Sequence, residues 1–86
     1  MLKIIKFIMI NTNLCSVKTE EYYVIKSIEV LDVALNKQLK NLGFLVGEKM
    51  KVMKTNYGKT SYLVKVMGVN YAIDKKVAER IFVEYE

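Results

Sequence analysis

The hydrophobic and polar positions of the chain change their period abruptly between Leu39 and Val52. After this point apolar and charged residues alternate, which is the pattern of a strand with one buried face. Before it, leucines recur at the spacing of one helical face: Leu31, Leu35, Leu39 and Leu42. Asp32 has the side chain of an N-cap and Gly43 can take the positive φ of a C-terminal cap. The pattern therefore predicts a helix of about ten residues between them.

The rest of the pattern predicts five short strands and one helical turn. The first strand is rich in β-branched and aromatic residues. Turn signals at residues 56–59 and 68–70 separate three alternating segments, which form a meander. Asp74 can cap a short helical turn before the last strand. The predicted strands are residues 22–30, 48–54, 61–67, 70–73 and 81–85, and the helical turn is residues 75–80.

Strands this short cannot each bury one face in an open sheet, so the sequence predicts a mainly β fold, a small curled barrel of about five strands. The predicted helix follows the first strand and covers one open end of the barrel. We expect the barrel to span residues 14–86, with residues 1–13 as an N-terminal extension. Its segment MLKIIKFIMI is about half the roughly 20 residues of a membrane span. Four isoleucines favour a strand there, and a packed helix or a membrane-surface segment are the alternatives.

The composition of the chain restricts its possible partners, disulfides and metal sites. The formal charge of +5, from 14 Lys and Arg against 9 Asp and Glu, suits an acidic partner, nucleic acid or anionic lipid. It also suits an ordinary soluble protein, which is the favoured interpretation because net charge concerns solubility and encounter rather than fold. Cys15 is the single cysteine and histidine is absent. An internal disulfide and the usual zinc, copper or iron ligand sets are thereby excluded within one chain. Glu20 and Glu21 could still form an acidic site, but two solvated charges in a turn explain them, so we expect no metal and no cofactor.

The sequence also predicts that the protein is not an enzyme. Without histidine, no set of nucleophile, base and orienting group is evident. The segment YGKT, residues 57–60, is similar to the end of a phosphate-binding loop. That motif requires a glycine five residues before Gly58, where Met53 stands, and it opens a helix rather than a hairpin. A turn glycine explains the segment.

Two blocks of the chain resemble the FeoA family. The block LNKQLKNLGFLVGEKMKVM, residues 35–53, has the family's helix ending in Leu-Gly, then an apolar pair, a second glycine and alternating Val-type residues. The closing block resembles the family's last strand region through Gly68, Ala78, Ile81 and Val83, and LCSVKTEEYYVIKSI is similar to its opening segment. The resemblance covers residues 14–86. Thr19-Glu20 replaces the family's usual Pro-Gly, and Val46 its usual Pro.

The resemblance implies an SH3-like barrel, in agreement with the predicted topology. It further implies a non-enzymatic cytoplasmic protein of ferrous iron uptake, without a cofactor, that acts as a regulatory adaptor. The implied partner is the iron permease that carries a cytoplasmic GTPase domain, so the protein would be peripheral to the membrane through that partner.

The central hairpin, residues 48–67, contains the predicted partner-binding face. Its alternation points Met50, Val52, Tyr62, Val64 and Val66 inward. Lysines and three adaptable apolar residues then point outward together, as in interaction patches with an apolar centre and a charged rim. The predicted binding residues are Lys49, Lys51, Met53, Lys59, Leu63, Lys65 and Met67. A merely solvated face is the alternative.

Two other functions remain open at this point. A small basic barrel could bind RNA or single-stranded nucleic acid, because GEKMKVMKTNYGK, residues 47–59, is similar to the Gly-and-basic loop of KOW modules and Tyr57 could stack on a base. The predicted helix and the closing block fit the FeoA family better, so nucleic acid is the second choice. Self-association through the apolar N-terminus is the third.

Overall fold

A computed structural model describes residues 12–86, so residues 1–11 of the predicted N-terminal extension lie outside the described part. The predicted order of elements is confirmed, with one short strand added at the start. The strands are β1 (Thr12–Asn13), β2 (Tyr22–Ile28), β3 (Lys49–Thr55), β4 (Ser61–Val66), β5 (Val69–Asp74) and β6 (Ile81–Tyr85). The helices are α1 (Val33–Asn41) and α2 (Lys75–Ala78), and a 3-10 turn, Leu14–Ser16, follows β1.

The strands form one antiparallel sheet in the order β1-β6-β2-β3-β4-β5. The mainly β prediction is confirmed, but the sheet is not closed by hydrogen bonds as a full barrel would be. Within residues 12–86, β1 and β5 are the two edges, and they do not pair with each other. With two residues, β1 is too short to pair along the six residues of β5.

One hydrophobic core fills the inside of the curled sheet. All five residues that the alternation points inward belong to it, which confirms that prediction. The buried core residues are Leu14, Tyr23, Ile25, Leu39, Phe44, Met50, Val52, Tyr62, Val64, Val66, Ala78, Ile81 and Val83. The outer face of β3 and β4 therefore carries the remaining, alternate residues.

The start of α1 corrects one prediction. Asp32 is the N-cap as predicted, since its Oδ1 accepts a hydrogen bond from the Leu35 N–H at 3.0 Å. Leu31 precedes this cap, so the helical spacing does not apply to it and its side chain is 86% exposed. The Asn36 side-chain amide donates to the Val30 carbonyl at 3.1 Å and fixes the entry into the helix.

The end of α1 follows the prediction closely. Gly43 has a φ of +106°, and its N–H donates to the Lys40 carbonyl at 3.0 Å. The Phe44 N–H donates to the Leu39 carbonyl, also at 3.0 Å, which completes a Schellman motif. Phe44 and Leu39 are both buried, so the cap directs the chain from the helix straight into the core.

The two hairpin turns differ in how they reverse the chain. Between β4 and β5, Met67 and Gly68 have φ of +51° and +79°, the values of a type I′ turn that suits twisted strands. Between β3 and β4, the Asn56 side chain accepts from the Thr60 N–H at 2.8 Å. The positive φ of this turn is at Lys59, +54°, and not at Gly58, so the glycine of YGKT is not needed for its φ.

Candidate partner-binding face

Lys51 and Lys65 are the centre of the outer face of β3 and β4. They are paired directly across the two strands, where like charges repel. The Lys51 Nζ lies 4.4 Å from the centre of the Tyr22 ring, an arrangement that attracts a cation to the ring. Among residues 12–86, neither lysine forms an ion pair. The face therefore holds two close positive charges that no ion pair within the described residues offsets.

Lys49 differs from these two lysines because it forms an ion pair with the Glu86 carboxylate. The hydrogen bond to Glu86 raises the pKa of Lys49 above its ordinary value of 10.5. A raised folded-state pKa stabilises the fold fully below about pH 10.5, and the contribution is lost as the pH rises through the folded pKa. At neutral pH the charge of Lys49 is thus matched locally and adds little to the potential of the face.

A β-bulge in β3 brings a further side chain opposite Leu63. Val52 pairs with Val64 and Lys54 pairs with Leu63, so Met53 is the extra residue. Met53 and Lys54 together oppose the single residue Leu63. The predicted apolar centre is thereby placed at one end of the lysine pair, with Met53 and Leu63 half-buried.

Two of the predicted residues lie in the turns, at opposite ends of β4. Lys59 is exposed in the β3–β4 turn. Met67 is in the β4–β5 turn with a 64% exposed side chain, and it packs on the end of α1. A Cβ built on Gly43 would lie 2.7 Å from the Met67 Sδ. These two residues border the face rather than occupying its centre.

Some of the predicted binding residues line two separate open grooves. A groove of about 590 Å³ is lined by Tyr22, Gly47, Glu48, Lys49, Lys65, Met67, Gly68 and Glu86. A groove of about 280 Å³ is lined by Lys54, Thr55, Asn56, Ser61, Leu63 and Ala72. The first groove carries both signs of charge, while Lys54 is the one charged residue that the described part of the chain contributes to the second. The structure thus places Lys49, Lys65 and Met67 at one groove and Leu63 at the other.

Among the groove residues that sequence reasoning missed are Tyr22, Glu86 and Ala72. Each belongs to a strand or terminus other than the central hairpin and arrives by strand pairing. Tyr22 is opposite Lys51, and Ala72 is opposite Leu63. The available signal for Ala72 was the predicted meander, because once the register of its strands is assigned the cross-strand neighbours follow.

A second apolar surface lies at the start of α1. Leu31 and Val33 are more than 80% exposed. They line a groove of about 390 Å³ with Val30, Asn36, Lys37 and Lys40. Leu31 was predicted to share one helical face with Leu35, Leu39 and Leu42, so this surface was not foreseen.

The possible metal ligands and one buried phenol among the described residues bear on catalysis. Between Thr12 and Glu86, no three His, Cys, Asp or Glu side chains come together as metal ligands. Hydrogen bonding to Cys15 raises the pKa of the Tyr62 phenol, and burial raises it further. An ionised Tyr62 nucleophile is thereby disfavoured near neutral pH. No helix in this part of the chain has the length and apolar character to cross a membrane.

Comparison with known proteins points to one family. The FeoA domain model matches residues 12–85. A FeoA protein from Chlorobium tepidum is 23% identical over 86% of this chain and 70% of its own, with a TM-score of 0.80. A zinc-complexed FeoA from Stenotrophomonas maltophilia, a prokaryotic SH3 domain protein, is 25% identical over 85% of this chain and 89% of its own, with a TM-score of 0.74.

A more distant likeness concerns the fold alone. A manganese-dependent transcriptional repressor is 12% identical over 87% of this chain and 41% of its own, with a TM-score of 0.78. No curated protein sequence matches the chain significantly. The SH3-like architecture implied by the sequence resemblance is confirmed by these structures.

Proposed function

The chain belongs to the FeoA domain family, which is associated with ferrous iron transport, and on that premise we propose that it is a cytoplasmic accessory protein of ferrous iron uptake. FeoA is a family of small accessory domains and is not a known enzyme family. The proposed action is to bind the iron permease that carries a cytoplasmic GTPase domain, and to alter its assembly or its GTPase cycle.

The lysine pair on the outer sheet face carries this proposal. Lys51 and Lys65 are opposed without an ion pair among the described residues. A cross-strand pair of like charges lowers stability by itself, and an acidic partner surface would relieve that repulsion. Leu63, beside the pair, supplies half-buried apolar area that a partner could cover.

The proposal is tested by recovering the partner. The full chain, tagged and immobilised, is incubated with the native membrane fraction in mild detergent. We expect the GTPase-containing permease to be retained at low salt and released at high salt, because rim charges contribute salt-dependent attraction. Retention of other proteins without the permease, by a chain shown to be folded, would contradict the proposed function.

RNA binding is the second candidate, and one observation favours it. Tyr57 is fully exposed at the tip of the β3–β4 hairpin, where Lys59 is also exposed. An exposed ring beside positive charge is the arrangement on which single-stranded bases stack. A titration with generic single-stranded RNA at two salt concentrations decides this: an RNA binder loses affinity steeply on a log–log salt plot.

A further inference from the structure

The outer edge of β5 carries backbone groups that β4 does not use. The type I′ turn makes Val66 and Val69 a hydrogen-bonded pair, and such pairs alternate with non-hydrogen-bonded ones along an antiparallel ladder. Asn70 and Ala72 are therefore in non-hydrogen-bonded pairs with β4 and point their N–H and C=O groups away from it. Within residues 12–86 no strand covers this side. We call these groups of Asn70 and Ala72 the β5 edge.

The β5 edge lacks the features that usually block strand addition. Edge strands are normally blunted by lysine, proline or a bulge. β5 contains neither residue type, and its pairing with β4 is regular. Its one charged side chain is Asp74, whose Oδ1 accepts from the Val77 N–H at 3.0 Å and is thus used as the cap of α2.

The two faces beside the edge differ in chemistry. On the outer face, Asn70 is opposite Lys65, and Ala72 borders the groove of about 280 Å³ that Lys54 also lines. On the inner face, Tyr71 and Ile73 are half-buried and pack against the core. The Tyr71 hydroxyl donates to the Leu42 carbonyl at 3.3 Å, which holds this ring in place.

We propose that the β5 edge binds an extended segment of a partner protein as an added antiparallel strand, and that this segment alternates acidic with apolar residues. Opposite Asn70 and Ala72, its side chains lie on the outer face, about 10 Å or two strand spacings from β4 and Lys65. That is about one Debye length at 0.1 M ionic strength and well inside it at low salt, so the attraction to Lys65 should weaken as salt is added. The apolar side chains of the segment, which alternate with the acidic ones, extend the inner face formed by Tyr71 and Ile73.

A second copy of this chain fits the edge less well. Pairing two β5 strands would join two outer faces into one surface and bring Lys54 and Lys65 of each copy onto it. Each chain carries a net charge of +5, so the joined faces would repel. Charge complementarity therefore selects an acidic segment. This inference deepens the proposed function. It rests on that function in one respect, namely that the partner is a protein with an acidic docking segment.

The probe for this inference is a blocked eight-residue peptide of alternating glutamate and valine. It is titrated into the full chain at low salt, followed by amide NMR and hydrogen exchange. We expect the Asn70 and Ala72 amides to exchange fast in the free protein and at least tenfold more slowly with bound peptide. A matched peptide of alternating lysine and valine should bind at least tenfold more weakly.

Ala72→Pro is the decisive variant, because it removes an outward N–H at an edge position that tolerates proline. It should weaken peptide binding at least tenfold, while Ala72→Ser, which keeps the N–H, should bind like the wild type. Should the proline variant not fold, Lys65→Glu serves instead and should reverse the preference between the two peptides.

Three results would overturn the inference. These are slow exchange at Asn70 and Ala72 in the free protein, protection that appears with protein concentration alone, or wild-type peptide binding by a folded Ala72→Pro or Lys65→Glu protein. Permease retention separates the two proposals. An Ala72→Pro protein that still retains the permease refutes only the β5 edge, whereas peptide binding without permease retention refutes only the proposed function.

Discussion

Lys51 lies directly opposite Lys65 on the outer face of the sheet, with the Tyr22 ring 4.4 Å from the Lys51 ammonium. The contact with the Tyr22 ring offsets part of the repulsion between the two lysines. No acid within the described residues forms an ion pair with either lysine to offset the rest. Such an arrangement costs stability in the free protein and favours an acidic partner. Stability and binding should therefore respond in opposite directions to substitutions at this pair.

The first prediction concerns stability. Lys65→Glu replaces the like-charge pair by an opposite-charge pair and should raise the free energy of unfolding by roughly 0.2–1 kcal/mol at low salt. Urea denaturation at low and high salt measures this, and the gain should shrink at high salt because exposed charges are screened. Lys59→Glu, in the turn, is the control and should give no comparable gain. A lower stability of Lys65→Glu at low salt would contradict the repulsion.

The second prediction concerns the contact between Gly43 and Met67. Gly43→Ala should destabilise the protein by about 1–2 kcal/mol, because a side chain at φ +106° is strained and its Cβ would press on the Met67 Sδ. Met67→Ala in the same background should recover the steric part and leave the backbone part. A double-mutant cycle by urea denaturation measures both, and strict additivity would show that the contact has no energetic role.

The third prediction concerns pH. Burial raises the pKa of the Tyr23 phenol above its ordinary value of 10.0. Since the unfolded phenol ionises first, the stability that Tyr23 contributes is complete below about pH 10 and is lost as the pH rises through the folded pKa.

The matched variant for this test is Tyr23→Phe, which cannot ionise. At pH 8 it should be less stable than the wild type by about 1 kcal/mol, because the Tyr23 hydroxyl accepts a hydrogen bond from the Lys18 N–H. At strongly alkaline pH the urea midpoints of the two proteins should converge. A difference that stays constant across this range would contradict the assigned shift.

Local signals in the sequence predicted much of the fold. Asp32 and Gly43 fix the ends of α1 through groups within four residues of each, so the pattern alone is sufficient there. The prediction that Leu31 belongs to the helical face was wrong, because Leu31 lies one position before the N-cap Asp32 and so outside the helix. The inward-pointing residues of the central hairpin were predicted correctly, because the alternation of faces is regular on β4 and, on β3, is regular as far as Val52, where the bulge begins.

The candidate site was predicted less completely, because it depends on pairing between distant segments. The bulge at Met53 shifts the register of β3 by one residue, and no local pattern marks it. Glu86 neutralises Lys49 from the last residue of the chain, a neighbour that only the folded sheet supplies. The whole β5 edge likewise depends on which strand comes last in the sheet.

The central claim is that the outer face around Lys51 and Lys65 docks an acidic protein surface. Its most direct test is the association rate of the full chain with the purified cytoplasmic part of the permease at two salt concentrations. The double variant Lys51→Glu, Lys65→Glu is compared with Lys37→Glu, Lys40→Glu, which makes the same charge change at exposed positions of α1. We expect the sheet variant to associate at least tenfold more slowly at low salt, with the difference reduced at high salt, and the α1 variant to stay near the wild-type rate. Equal slowing by both variants, or none by either, would contradict the claim.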